Sequence, residues 1–206
     1  MHLSKMLIVA LAAFALIAAP AQADPLDLSV NGGFETGTFD GWELFPTGPD
    51  QFTIVTPGSD SDNAGCIENS APASAALMKN ANIGIGVVEP NQMVTISFDA
   101  RGEFGPGGVA FAEFFSELDG GGVSASEILG GAPLALDPDP SVWKSFSFTA
   151  VTGPDVSGGV TLQLTATTAA DGASFANVCY DNIRVIVEVP VSSDESSWGI
   201  VKGLYR

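Results

Sequence analysis

Apolar and polar residues alternate with a period of two through most of this chain, in short runs bounded by Gly, Pro, Asn and Asp. That is the pattern of half-buried strands joined by turns, not of helices. The clearest run is 92–101, where Val94, Ile96, Phe98 and Ala100 fall on one side and Thr95, Ser97, Asp99 and Arg101 on the other. Similar runs are expected at 26–30, 51–55, 74–79, 83–88, 109–118, 123–129, 142–150, 160–167 and 174–188. SASEIL, within 123–129, also suits a single helical turn. In 109–118, Phe111, Glu113, Phe115 and Glu117 share one face, and Ala110, Ala112, Phe114 and Ser116 the other. About ten strands with no sustained helical periodicity predict an all-β sandwich.

The densest turn chemistry lies at 31–43, NGGFETGTFDGWE. Four glycines sit among Asn, Thr and Asp, residue types that tolerate or induce positive φ. Phe34 and Trp42 flank these turns, each followed by a carboxylate, Glu35 and Glu43. The expected structure is a loop folded back on itself and pinned by an aromatic at each end, with Trp42 in the core. It lacks the Gly spacing and Lys of a phosphate cradle, and it has no nucleophile beside a base.

This stretch resembles the opening signature of secreted carbohydrate-binding modules of the CenC type. The closing CYDNIRV, at 179–185, is similar to the last strand of the same modules. The segments between resemble exported bacterial proteins carrying such a domain. The resemblance implies a jelly-roll β-sandwich of the galactose-binding-like kind, a non-catalytic role in binding a polysaccharide or other glycan, and a structural calcium where the start of the chain meets its last strand. A structural cell-surface or extracellular-matrix protein without a sugar site is the alternative.

Residues 1–23 carry a basic start at Lys5, an apolar run and the small-residue site Ala21-Gln22-Ala23, and so read as a secretory signal peptide. The sandwich is expected at 24–188, with a linker and tail at 189–206. The product is expected to be secreted or at a bacterial cell surface, with the periplasm as a further compartment, and without a membrane span. Removing Lys5 with the leader takes the net charge from -17 to -18. That charge excludes nucleic acid and anionic membrane surfaces as partners, since both need a basic footprint. Two cysteines, Cys66 and Cys179, in an oxidising compartment are consistent with one disulfide, with two buried free thiols as the alternative.

Counting by twos through 174–188 puts Cys179, Asp181, Ile183, Val185 and Val187 on one face. A carboxylate on an apolar face needs a partner, so Asp181 and Glu35 are the candidate calcium ligands. The DSDNAG run near Asp60 and Asp62 lacks the downstream Glu of a helix-loop-helix calcium site and reads as a solvated loop. Trp143 alternates opposite to the apolar residues of its run. Phe111 and Phe115 share a face with Glu113, and Arg101 is placed to pair with Glu113 or Glu117. Trp143, Phe111, Phe115, Glu113 and Arg101 are therefore the candidate ligand-binding residues: aromatics to stack on pyranose rings and polar groups for their hydroxyls. The pattern favours burial of Phe111 and Phe115 between layers, with exposure as the alternative.

Glu113 and Glu117 lie ~13 Å apart along one strand, too far for a glycosidase pair. With the single His inside the leader and no nucleophile motif, no enzyme activity is expected. The tail SSWGIVKGLYR is basic and aromatic on an acidic chain. It resembles short C-terminal tags on exported bacterial proteins, which implies export or surface-attachment machinery as a partner.

Overall fold

The structure, a computed structural model, describes residues 24–49 and 51–189. The expected leader and the tail lie outside the described residues. Eleven strands occur in chain order: β1 (Asp24–Asp27), β2 (Glu43–Phe45), β3 (Phe52–Val55), β4 (Ala64–Asn69), β5 (Ala75–Ile83), β6 (Met93–Phe104), β7 (Val109–Glu117), β8 (Val123–Ile128), β9 (Lys144–Val151), β10 (Val160–Thr167) and β11 (Ala176–Val189). Leu129–Gly131 forms one 3-10 turn after β8.

The strands make two antiparallel sheets. The first runs β3-β4-β11-β6-β9, with β1 also paired to β11, and the second runs β2-β5-β10-β7-β8. Apart from the consecutive pairs β3–β4 and β7–β8, the pairings join strands distant in sequence, and the result is the expected jelly-roll β-sandwich. The core is made by the inward set of each alternation. Val94, Ile96, Phe98 and Ala100 of β6 face Leu162 and Leu164 of β10 and the small Ala110 and Ala112 of β7 across the layers.

Three local features differ from the sequence reading. Residues 74–79 and 83–88 do not form two strands: β5 runs unbroken to Ile83, and Gly84 at φ 71° turns the chain. The polar stretch before Ser70 contains β4, whose inward residues Ile67 and Asn69 are fully buried. The third difference is in β11. Its register against β6 shifts between Asp181 and Arg184, and Asn182 adopts φ 50°. This β-bulge reverses the phase of the alternation. Ala176, Val178 and Tyr180 point inward before it and Ile183, Val185 and Val187 after it. Cys179 and Asp181 therefore lie on the outer face, opposite Arg101 and Asp99 of β6, and not on the core face with Ile183.

The 31–42 loop closes one end of the sandwich as the turn chemistry predicts. Phe34 is fully buried at φ 55°, stacks on Trp42 at 5.4 Å, and lies against Gly65, where a Cβ would come within 2.6 Å of its ring. The Trp42 indole N–H donates to Asn31 O at 3.3 Å. Ile183 N donates to Gly32 O at 3.0 Å, so the loop is tied to the bulged strand. The buried Asn80 amide accepts from Val30 N and donates to Val30 O and Gly41 O, fixing the loop's other side.

Cys66 and Cys179 are directly opposed on β4 and β11, with Cα atoms 3.9 Å apart, and form a disulfide across 113 residues of sequence. Tyr180 is fully buried with no hydrogen-bond partner for its hydroxyl among the described residues, and burial pushes its phenol well above the ordinary range.

Two outcomes test this frame. Replacing Cys66 and Cys179 by Ala removes a cross-link over a long loop and is expected to lower stability by roughly 2–5 kcal/mol. Phe34→Ala leaves a ring-sized cavity and is expected to cost roughly 3–5 kcal/mol. Both are read from denaturant unfolding, Phe34→Ala as a lower midpoint at unchanged m and the cysteine pair with m rising as the unfolded chain expands.

Candidate functional site

The outer face of the second sheet is built from the polar halves of its alternating strands. Cross-strand register aligns Glu43 of β2, Lys79 of β5, Gln163 of β10, Glu113 of β7 and Ile128 of β8 in one row. A neighbouring row carries Phe45, Leu77, Thr165 and Phe111, and Phe115 lies opposite Thr161 on the other side. Strands in a sheet are about 4.8 Å apart, so Phe45 and Phe111 stand ~14 Å from one another.

β7 makes this face unusual. Its large aromatics, Phe111 and Phe115, point away from the core and are only half-buried, while its alanines point in. The core needs small residues there because Phe114 and the long side chains of β6 fill the interlayer space. Phe45 is 44% exposed. The Lys79 ammonium lies 5.3 Å from the Phe45 ring centre and 5.7 Å from that of Phe115, within cation–π range of both. The aromatics and the cation hold each other upright.

Glu113 is oriented by its neighbours on β10. Its Oε2 accepts from Gln163 Nε2 at 2.5 Å and from Thr165 Oγ1 at 3.1 Å. Those bonds leave Glu113 Oε1 without a hydrogen-bond partner among the described residues, while Gln163, Thr165 and Thr161 of β10 are themselves buried beneath the flanking side chains. The face continues into a cleft of about 380 Å³ lined by Lys79, Asn82, Glu117, Thr161 and the Asp119–Gly121 turn. Its chemistry is aromatic surface flanking a floor of acceptors with one ammonium donor.

The five candidate ligand residues divide between two surfaces. Phe111, Glu113 and Phe115 come together here. Arg101 and Trp143 lie on the first sheet's side, where the guanidinium sits 4.6 Å from the Trp143 ring centre. The expected pairing of Arg101 with Glu113 or Glu117 does not occur, because β6 and β7 belong to different sheets. Phe45, Lys79 and Gln163 were not singled out from the sequence. The alternation of Thr161, Gln163 and Thr165 with Val160, Leu162 and Leu164 contained the signal for Gln163. Nothing local marked the three-residue β2.

The second cluster lies where the 31–35 loop, the 58–63 loop and the bulge of β11 meet. Asp181 is fully buried although it is on the outer face, because these loops cover it. Its Oδ2 accepts from Ser59 N at 2.6 Å and Ser61 Oγ at 2.5 Å, and its Oδ1 from Asn182 N at 2.7 Å. Glu35 Oε1 accepts from Asn63 N at 2.9 Å. Gly58 packs so closely that a Cβ would collide with Asn63 O, Ser61 Oγ and Asp181 Oδ2. The loop read as solvated is thus partly structural.

Burial raises the Asp181 carboxyl above its ordinary value, Glu35 adds repulsion, and the three hydrogen bonds only partly offset them. At Asp99, burial also acts upward, but donors from Asn182, Ser145 and Ser59 outweigh it and hold that carboxyl below the ordinary value. The two therefore act oppositely on stability. Asp99 stabilises the fold above the unfolded carboxylate pKa, and that stabilisation is lost as pH falls through its lower folded value. The Asp181 contribution grows as pH falls through its raised folded value. Carboxyl-detected NMR titration in chelator is expected to find Asp181 protonating above pH 3.8 and Asp99 below it.

Among solved structures, the fold is shared with several proteins of distinct activity. The enzymatically active domain of tailspike protein 4 from bacteriophage CBA120 is 14% identical at a TM-score of 0.58, over 77% of this chain and 21% of that one. The CBM22-1 xylan-binding domain from Paenibacillus barcinonensis Xyn10C is 17% identical at 0.53, over 85% of this chain and 100% of that one. The Stig cyclase Fisc from Fischerella sp. TAU is 15% identical at 0.58, over 82% and 100%. The architecture is thus that of the jelly-roll sandwiches found in carbohydrate-binding modules, on a scaffold that other proteins use for other chemistry. No protein-family model matches the chain, and none of the curated proteins does.

Proposed function

We propose that the outer face of the second sheet binds a glycan without cleaving it. The observation that carries this reading is the outward, half-buried placement of Phe111 and Phe115 on a strand whose inward positions are Ala110, Ala112, Phe114 and Ser116, beside a preoriented Glu113. Phe45 and Phe115, packed on the Lys79 ammonium, and the half-buried Phe111 offer flat apolar faces for pyranose rings. Glu113 Oε1 accepts hydrogen bonds from sugar hydroxyls, the buried Gln163 holds that carboxylate in place, and Lys79 donates to the hydroxyls. The paired cysteines fit an oxidising, extracellular compartment, as the leader-like residues 1–23 do. The xylan-binding domain named above lends support through its fold.

The proposal is tested by retention on a panel of insoluble and arrayed neutral and acidic glycans. Retention on one neutral class is expected, weakened at least tenfold by Phe111→Ala or Phe115→Ala, while Trp143→Ala leaves it intact. Loss on Trp143→Ala or Arg101→Ala instead would move the site to the first sheet. No retention on any glycan would sink the reading.

We also propose that Glu35 and Asp181 hold a structural calcium. The donor set fits: a buried carboxylate facing a second carboxylate, with hydroxyl and carbonyl oxygens at hand and no nitrogen or sulfur ligand, is hard-oxygen chemistry. Among the described residues no group of three or more His, Cys, Asp or Glu side chains is disposed to hold a metal. The pair would therefore be completed by Ser61 Oγ, Asn63 O or water. Bound calcium would offset the burial, and the lesser repulsion from Glu35, that raise Asp181. The expected outcome is a melting temperature several degrees higher in calcium than in chelator, with the increment abolished in Glu35→Gln. Equal melting temperatures in both buffers would exclude the metal.

A further inference from the structure

Every open sheet must protect its edge strands, because an edge exposes unpaired N–H and C=O groups that invite another strand. Here β1 is four residues long and contains Pro25, β2 has three residues, and β3 has four. β8 carries Glu127 and breaks register against β7 between Ser116 and Glu117. β9 has none of these guards. It runs for eight residues, KSFSFTAV, in unbroken register with β6 from Met93 to Ala100. After Lys144 it has no charge, no proline and no glycine. Among the described residues nothing hydrogen-bonds to its free edge. Val151 is 58% exposed, and its cross-strand partner Met93 is 65% exposed.

The sequence of β9 also says which strand fits it. Ser145-Phe146-Ser147-Phe148-Thr149 reads almost the same in both directions about Ser147. An antiparallel copy centred on Ser147 sets Phe146 opposite Phe148 of the second copy, Ser147 opposite Ser147, and Ser145 opposite Thr149. Both aromatic pairs fall on the core-side face, where Phe146 and Phe148 are only partly covered by their own sandwich. The hydroxyl pairs fall on the outer face. Aromatic and hydroxyl cross-strand pairs are favourable combinations in an antiparallel ladder. A two-fold contact of this kind is isologous and closes on itself.

We propose that β9 pairs with β9 of a second copy of this chain, joining the two first sheets into one continuous sheet. The long-range charge opposes it: a chain of net charge -17 repels its copy. The contact itself contains no acidic residue, so screening the repulsion with salt strengthens association. A single strand pair is a small interface, which places the dimer in the micromolar range of concentration.

The test uses the purified protein. Ser147→Cys introduces the chain's one unpaired thiol, since Cys66 and Cys179 are bonded to each other. Directly opposed residues have Cα atoms about 4.5–5.5 Å apart, within disulfide reach. Mild oxidation is expected to convert most of Ser147→Cys to a covalent dimer and to leave Ser145→Cys largely monomeric. Sedimentation of the unmodified protein is expected to show a dimer that dissociates on dilution and tightens with added salt. Ser147→Lys, at an exposed position on the outer face, is expected to be monomeric with an unchanged circular dichroism spectrum. A protein monomeric at about 100 μM, far above the Kd of such a contact, would overturn the proposal. So would a dimer that survives Ser147→Lys, one that weakens with salt, or equal cross-linking of the two cysteine variants.

Discussion

The fold depends on the clamp between the 31–42 loop and the bulge of β11. β11 is the central strand of the first sheet, bonded to β6 along most of its length, to β4 over Ala176–Tyr180 and to β1 near its end. At the bulge it changes which residues face the core, so the strand could slip or twist if nothing fixed that point. Gly32 O accepts from Ile183 N just past the bulge, and a Cβ on Gly32 would collide with Ile183 O. Phe34, held at positive φ by the turn, fills the space over Gly65 of β4. A backbone bond, a glycine contact and a buried ring thereby fix one register. The disulfide ties β4 to β11 two residues before Asp181.

The same clamp produces the carboxylate cluster. A bulge leaves one residue without a place in the ladder, and here the surplus exposes Asp181 to two loops that would otherwise cover plain sheet. Ser59, Ser61 and Asn182 give it hydrogen bonds, yet among the described residues no basic side chain bonds to it. A buried, ionised carboxylate beside a second carboxylate is stable only when hydrogen bonds or a cation offset the loss of water. The clamp and the burial of this carboxylate are therefore one physical problem, met where ordered loops supply hydrogen-bond donors.

The two sheets have divided tasks. The first carries the disulfide, the clamp and the edge strand β9. The second is in unbroken register where β10 meets β7 and shifts register only toward Val160 and Glu117, so the row from Glu43 to Ile128 stays in line across five strands. A flat or gently curved array of this kind positions Phe45, Lys79, Gln163, Glu113 and Phe111 without any loop having to close over them. Rigid strands hold such groups more exactly than loops do, which suits a surface that binds and releases without rearranging.

Much of this was legible in the chain. The period-two alternation of β6, β7 and β10 determined which of their residues face inward, because side-chain direction along a strand is a local property. The turn residues of 31–43 determined the aromatic-pinned loop, because positive φ and compact glycines are also local. What the sequence could not decide was everything set by pairing. Whether Phe111 and Phe115 lie between layers or on the outside depends on which face of β7 meets the other sheet. Arg101 and Glu113 look like partners until their strands are assigned to different sheets. Asp181 counts as a core-face residue until the bulge at Asn182 shifts the phase, and that bulge exists because β11 must satisfy β6 and the Gly32 loop together. Local periodicity fixes direction within a strand; only the tertiary ladder fixes which strands are neighbours, and so which side chains share a site.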